Sequence, residues 1–273
     1  MTVEVRAPRV ALVTGGGTGI GRGVALALAR RGIQVALAGR RPEPLADAAR
    51  ELAAAGGRAV ALPADLRQPA ERAALLDRVQ AQLGPLDILV NNAGVLVGGP
   101  LDTLAGTDVE DMVAVNLAAP IDLVRLALPD LRTRRGSLVL VASVMGRVPM
   151  PAGTVYGATK AGLIAFGAAL RYELDAHGVR LLLVYPPSVD TAMVRGMARA
   201  AGWPGHMLDT PARAGERIVS ALAAGRQELA WGRGERALMA LERVAPGLVR
   251  AVFRRQRDRF TRMMLAPREE RGR

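Results

Sequence analysis

A short apolar run, Arg9–Thr14 (RVALVT), leads straight into Gly15-Gly16-Gly17-Thr18-Gly19-Ile20-Gly21 and then into a helical segment, Arg22–Arg31. This junction constrains the fold more than any other stretch. An apolar run without alternation reads as a strand buried on both faces, which calls for a parallel sheet with helices on either side. Glycine at 15, 19 and 21 lets backbone come close to a ligand. The helix that follows offers unpaired N–H groups and the positive end of its dipole, a cradle suited to a pyrophosphate. The spacing is Gly15-xxx-Gly19-x-Gly21, not GxGxxG, and the same residues would also serve a plain tight strand-to-helix turn.

The pattern repeats along the chain. Strands are predicted at Gln34–Ala38, Arg58–Leu62, Leu86–Val90, Ser137–Ala142, Val179–Val184 and Gln227–Trp231. Helices are predicted at Pro42–Ala55, Pro69–Leu83 and Ala212–Ala224. Strands alternating with helices at this pitch predict an α/β fold: one Rossmann-type doubly wound parallel sheet with helices on both faces. The low aromatic content, 3%, suits helices packed closely on a sheet. There is no Cys, which excludes disulfides and thiolate metal sites. The two histidines, His177 and His206, are too few for a His-rich metal site, so none is expected. Ligands of such sheets bind beyond the carboxyl ends of the strands. Asp65-Leu66 and Asn91-Asn92-Ala93-Gly94 fall at such ends.

Thr154–Gly162 (TVYGATKAG) carries a second signal. Tyr156 and Lys160 are four apart, so on a helix they share a face, with Cβ atoms roughly 5–6 Å apart. An ammonium held beside a phenol favours the phenolate, lowering a pKa that starts near ~10 and yielding an acid/base usable near neutral pH. Of 37 basic residues 36 are Arg, and Lys160 is the single Lys. Where this chain departs from Arg, a compact ammonium is what the position requires.

After the second strand the chain reads Gly39-Arg40-Arg41, where an NAD-binding site usually carries an acid for the adenosine 2′-hydroxyl. A guanidinium can instead grip a 2′-phosphate bidentately. Arg40 and Arg41 therefore favour NADP(H) over NAD(H).

With these pieces together the chain resembles the short-chain dehydrogenase/reductase family, from about Arg9 to Thr191 with continuation to about Ala230. The resemblance rests on Thr14-Gly15-xxx-Gly19-Ile20-Gly21, Asp65-Leu66, Asn91-Asn92-Ala93-Gly94, Asn116 in Val-Asn-Leu, Ser143, and Tyr156-xxx-Lys160. It implies a cofactor site built from Gly15, Thr18, Gly19, Ile20, Gly21, Arg40, Arg41, Asp65, Leu66, Asn91, Ala93 and Gly94, with Asp65 meeting the adenine amino group. It implies a catalytic set of Asn116, Ser143, Tyr156 and Lys160. In that set Ser143 and Tyr156 hold the substrate oxygen, Lys160 also holds the nicotinamide ribose, and Asn116 holds a water that relays protons to Lys160. Val189 and Thr191 would meet the carboxamide, although Pro186-Pro187 stands where the family usually has Pro-Gly and implies a differently shaped loop. At position 18, some NADP-preferring members carry a basic residue where this chain has Thr18. The implied activity is NADP(H)-dependent interconversion of a carbonyl and an alcohol. The implied assembly is a homodimer or homotetramer. A non-catalytic nucleotide-binding scaffold or redox sensor is the alternative, and an epimerase or isomerase a third reading.

Residues 1–232 are expected to form the catalytic domain, with a lid at about 192–210. Met193, Met197, Trp203 and Met207 in the lid, with Met145, Val148 and Met150 after the serine, point to a hydrophobic substrate. Residues 233–273 read as a basic amphipathic helical extension. The net charge is +12, and this stretch holds 12 Arg against 5 acidic residues. It would pack on the domain or a sister subunit, lie on an anionic membrane, or bind nucleic acid; the last is not expected, because no aromatic-rich reading surface accompanies the charge. The N-terminus does not read as a signal peptide, and no spanning helix is expected, so the chain is read as cytoplasmic, with the tail the one candidate for membrane association.

Overall fold

The computed structural model describes residues 9–265. Seven strands form one wholly parallel sheet in the order β3-β2-β1-β4-β5-β6-β7. They are β1 (Val10–Thr14), β2 (Gln34–Gly39), β3 (Ala59–Pro63), β4 (Ile88–Asn91), β5 (Ser137–Val141), β6 (Arg180–Tyr185) and β7 (Glu228–Ala230). This is the doubly wound sheet that the alternation predicts. The strand order reverses at β1, which has β2 on one side and β4 on the other. The crevice of such a fold opens at the carboxyl ends there.

The helices are α1 (Gly19–Ala29), α2 (Pro42–Ala54), α3 (Pro69–Leu83), α4 (Gly106–Val113), α5 (Ala119–Thr133), α6 (Thr154–Asp175), α7 (Ala192–Ala200), α8 (Pro211–Ala223), α9 (Arg233–Val244), α10 (Pro246–Arg255) and α11 (Arg257–Met264). Side chains alternate across the sheet and feed two cores. Leu12 of β1 joins Leu89, Leu123, Leu138 and Leu163 on one face. Ala11 and Val13 join Leu28, Leu52, Val90 and Ile218 on the other.

α4 and α5 are joined by a π-helical segment, Ala114–Ala118, into one helix of 28 residues, Gly106–Thr133. By length and composition this helix could cross a membrane, which the sequence reading did not anticipate. Its face bearing Leu123, Val124, Ala127 and Leu131 is buried in the core against the sheet. That is the place of a core helix.

The expected lid is a helix, α7, followed by a short 3-10 turn at Gly205–Met207. A single parallel bridge, Val189 to Asp209, ties its two ends together. The extension forms three short helices rather than one. Pro246 opens α10, and Ala245 leaves helical geometry at φ −141°, so the chain bends there. Val249 and Phe253 of α10 are buried against Val144 and Val148, and Phe253 meets Phe260 edge to face at 5.0 Å. Of the expected roles for the extension, packing on its own domain is the one seen in the described residues. Positions 266–273 of the expected extension lie outside them.

At the amino end of the sheet Asp87 ties three strands together. Its Oδ2 accepts from the Val10 amide at 2.9 Å and its Oδ1 from Arg134 Nε at 3.0 Å, while its own carbonyl accepts from the Ser137 amide. The carboxylate is buried, so removing it strands a buried N–H and an uncompensated guanidinium. Asp87→Ala is expected to cost about 2–4 kcal/mol of stability, read from urea unfolding. A loss below 1 kcal/mol would show that the three-strand tie carries no weight.

Candidate active site

The site starts at the turn after β1. Gly15 and Gly19 take positive φ, +64° and +54°, a region that L side chains rarely enter. At Gly21 a Cβ would lie 2.2 Å from the Gly15 carbonyl oxygen, so only glycine lets α1 start this close to the strand end. Thr18 stands at the N-cap of α1 with its side chain making no capping bond, and no acid lies in the first turn. The first N–H groups of α1 thus face the crevice with neither cap nor competing charge. This fits an anionic phosphate group. Ile20 is half-buried against the core.

Thr14 and Asn92 close the floor of the crevice. Thr14 Oγ1 accepts from the Asn92 and Ala93 amides at 2.9 and 3.0 Å and donates to the Val90 carbonyl at 3.2 Å. Asn92 Nδ2 returns a bond to the Thr14 carbonyl at 2.9 Å. The Asn91 side chain turns elsewhere: Nδ2 reaches the Pro120 carbonyl and its buried Oδ1 finds no partner. Any contribution of Asn91 to the crevice comes through its backbone.

On the far side Asp65 is already engaged. Both its carboxylate oxygens accept from Arg67, the shortest contact being Nη2 to Oδ2 at 2.6 Å, and Arg67 bridges on to Asp111 at 3.0 Å. Arg67 beside it, with a smaller effect from Arg40, holds the Asp65 carboxyl below the usual carboxylate range. The resemblance implies an Asp65 open to the adenine amino group; the structure gives it a guanidinium partner first. Leu66 is buried, and its carbonyl accepts from the buried Arg72 at 2.7 Å. Arg40 and Arg41 follow β2, with Arg40 exposed and Arg41 capping α2. Arg40, Arg41 and Arg67 therefore flank the same end of the crevice.

Ser143 follows β5 and caps a 3-10 turn, its Oγ accepting from the Met145 amide at 3.2 Å. Its hydroxyl also lies beside the Tyr156 phenol and favours the phenolate. Tyr156 and Lys160 both lie buried on α6, with Lys160 Nζ 5.8 Å from the centre of the Tyr156 ring. Nζ donates to the Val141 carbonyl at 2.9 Å. The expected lowering of the phenol pKa does not occur in this arrangement. Burial pushes Tyr156 above its ordinary 10, and the Ser143 hydroxyl only partly offsets that. Burial also pulls Lys160 down to about 8. Desolvation outweighs the attraction between the two groups because both are shut away from water.

Asn116 is fully buried within the π-helical segment. Its Oδ1 accepts from the Val95 amide at 2.8 Å; its Nδ2 donates to the Val95 carbonyl at 2.8 Å and to Thr159 Oγ1 at 3.2 Å. Three of the amide's four bonding positions are thus spent, which makes the side chain a clamp between the loop after β4 and α6. Gly94 lies in that loop, close to both Asn116 and Lys160.

Val189 places its side chain in the core. In its bridge, the bonds run from the Asp209 amide to the Ser188 carbonyl and from the Asp190 amide to the Asp209 carbonyl. Val189's own N–H and C=O therefore face the other way. Thr191 meets Gly19 across the crevice: a Cβ on Gly19 would lie 2.9 Å from Thr191 Cγ2. The loop after β6 and the glycine turn after β1 thus frame one opening despite Pro187.

Some of the site escaped sequence reading. Nothing in the string Asn91-Asn92-Ala93-Gly94 marks the bond that Asn92 makes back to the Thr14 carbonyl. Arg67 and Arg72 are two among 36 arginines, and only their distance from Asp65 and Asp122 singles them out. Met263 and Met264, read as the apolar stripe of a tail, are buried in one cluster with Tyr156, Leu96 and Met112.

The short chain dehydrogenase family model matches residues 9–201. A ketoacyl reductase, HetN, from a Nostoc species is 33% identical over 215 residues, covering 78% of this chain and 75% of that protein. Among solved structures, an actinorhodin polyketide ketoreductase with NADPH aligns at TM-score 0.74 and 30% identity, covering 81% of this chain and 94% of its own. A metagenomic short-chain oxidoreductase in complex with NADP aligns at TM-score 0.69 and 33% identity, covering 82% and 96%. A match over most of the chain, joined to a glycine cradle at the sheet's switch point, means that this chain belongs to the short-chain dehydrogenase/reductase family and is an NAD(P)-dependent oxidoreductase.

Proposed function

We propose that this enzyme interconverts a carbonyl and an alcohol on an apolar substrate, with Tyr156 as the acid/base and NADP(H) preferred over NAD(H). The observation that carries this reading is the buried phenol of Tyr156, beside Ser143, faced by Lys160 and set in an apolar cluster. The named activities of the Nostoc and polyketide relatives agree with it.

In the reductive direction, Ser143 and Tyr156 both donate to the substrate oxygen. A phenol held above its ordinary pKa stays protonated at neutral pH, so the acid is in place before the substrate arrives. As Tyr156 gives up its proton, the nearby Lys160 ammonium stabilises the phenolate left behind. Asn116, by clamping Val95 to Thr159, fixes the loop after β4 against the helix that carries both groups. The nicotinamide, when bound, supplies or accepts the hydride. The N-terminus of α1 would hold the pyrophosphate, the Val189 backbone and Thr191 the carboxamide, and Arg40 and Arg41 the 2′-phosphate. Assembly as a homodimer or homotetramer belongs to the same reading. Exposed apolar side chains on the outer helices, Tyr172 on α6 and Ile121 on α5, support it.

Three outcomes are expected. With apolar ketones and NADPH, Tyr156→Phe should lower kcat/KM by about 10²–10⁴-fold while NADPH still binds. Retention of more than a tenth of wild-type turnover would remove Tyr156 as the proton donor. The pH profile follows from Lys160. Its ammonium is present below about pH 8 and lost above it. Reductive kcat/KM should therefore be level below about 8 and decline above, and the residual activity of Lys160→Met should lack that limb. A wild-type profile flat to pH 10 would contradict the assignment. Arg40→Ala should weaken NADPH more than NADH, cutting the cofactor preference about tenfold, the equivalent of one charge-assisted hydrogen bond. An unchanged preference would take the 2′-phosphate away from Arg40.

A further inference from the structure

Six of the ten methionines lie in one apolar cluster with Tyr156: Met112, Met145, Met193, Met197, Met263 and Met264. Four of these come from the domain and its lid, and two come from α11. Met264 sits in a made-to-measure seat. A Cβ on Gly98, after β4, would lie 2.8 Å from the Cβ, Cε and carbonyl oxygen of Met264, so no larger residue fits there while α11 is docked. A Cβ on Gly153 would lie 2.1 Å from Met145 Cε and 3.4 Å from Met264 Cε, so both methionines end at this glycine. Gly153 stands one turn before Tyr156, and the Gly157 amide donates to its carbonyl. The two walls of the seat are tied to each other by the Gly99 amide, which donates to the Ala152 carbonyl at 2.8 Å. Ala152 pays for this with φ +57°, a strained conformation for a residue with a Cβ.

A methionine side chain is an unbranched run of four heavy atoms. The space between Gly98 and Gly153 is therefore already filled by two unbranched apolar side chains, Met264 and Met145, one helical turn from the catalytic phenol. Thioether side chains re-pack readily, so such a slot can be vacated and relined at low cost. α11 is short, and it also packs on α7, the helix of the lid, and through Phe260 on α10.

We propose that α11 forms the distal wall of the substrate pocket, and that Met263 and Met264 make the enzyme select carbonyl compounds bearing an extended unbranched hydrocarbon chain. The chain displaces Met264 from its seat and lies along the methionines while the carbonyl meets Ser143 and Tyr156. This rests on the carbonyl-reducing reading above. It adds to that reading a specificity element outside the residues that the family model matches, which end at 201.

The test uses the full-length enzyme with NADPH and a series of straight-chain 2-alkanones from four to twelve carbons. For the wild type, kcat/KM should rise with chain length. In Met263→Ala/Met264→Ala, and separately in Gly98→Ala, the ratio of long-chain to short-chain kcat/KM should fall at least tenfold. NADPH binding reports that each variant is folded. A second readout needs no turnover. Trp203 belongs to the same cluster, so in a Trp231→Phe background its fluorescence should be quenched saturably by a bromine-terminated 2-undecanone, and much less in the methionine variant. Folded variants that keep the wild-type chain-length ratio and the wild-type quenching would overturn the proposal. Saturable quenching that is lost in the variants, with no 2-alkanone reduced by the wild type, would keep the slot and remove the carbonyl-reducing reading instead.

Discussion

One hydroxyl holds the site open. At the switch point the segments leaving β1 and β4 diverge, and the crevice between them exposes backbone that neither strand can pair. Thr14 Oγ1 meets that need from the end of β1, taking two amides from the loop after β4 and giving its proton to Val90. A buried backbone N–H left without a partner costs about as much as a lost hydrogen bond. With the two strand ends pinned, Asn92 can reach back to the Thr14 carbonyl, Gly21 can approach Gly15, and α1 can begin where an anion would sit. Asn116 repeats the device one loop further on, spending its amide on Val95 and Thr159. The cradle and the catalytic helix are thus set relative to each other by side-chain bonds to backbone.

Burial and charge compete at the centre of the site, and burial wins. Drawing Lys160 from 10.5 to about 8 corresponds to about 3 kcal/mol of disfavour for the ammonium relative to water. Its ammonium donates to the Val141 carbonyl, and among the described residues no carboxylate pairs with it. An acid there would hold the charge firmly but would also draw it away from the phenol. The same dry environment keeps Tyr156 protonated. Much of the dryness comes from the methionine cluster, so the apolar wall and the acid/base chemistry are one design problem.

Sequence carried the frame and the chemistry bearers, because both leave local marks. Buried strands leave unbroken apolar runs, the phosphate turn leaves glycines, and a shared helix face leaves a spacing of four. Strand positions, the doubly wound parallel sheet and the shared face of Tyr156 and Lys160 could be read that way, whereas the place of Ser143 beside them came from the family resemblance. What could not be read depends on distance across the fold. The engagement of Asp65 by Arg67, the commitment of the Asn116 amide and the turn of the Asn91 side chain to Pro120 each need a partner remote in the chain or a loop path that no local pattern encodes. The direction of the Tyr156 pKa is a case of its own. Spacing shows that an ammonium is near, but not that both groups are sealed from water, and the second fact decides the sign.

The extension shows how an average hides a division of labour. Its arginines suggest a charged appendage, yet the positions sort by face. Arg254, Arg255, Arg257, Arg259 and Arg262 are exposed, whereas Phe253, Met263 and Met264 are buried. Short helices broken at Ala245 and Gln256 let the apolar positions point at two different targets, Val148 beneath α10 and the loop around Gly98 beneath α11. A single straight helix has one apolar stripe and could not serve both. The breaks therefore look like imperfection in a periodicity plot, but they are what brings Met264 to its seat. The outward arginines keep the solvent face of this short helix charged while its methionine face stays docked against the domain.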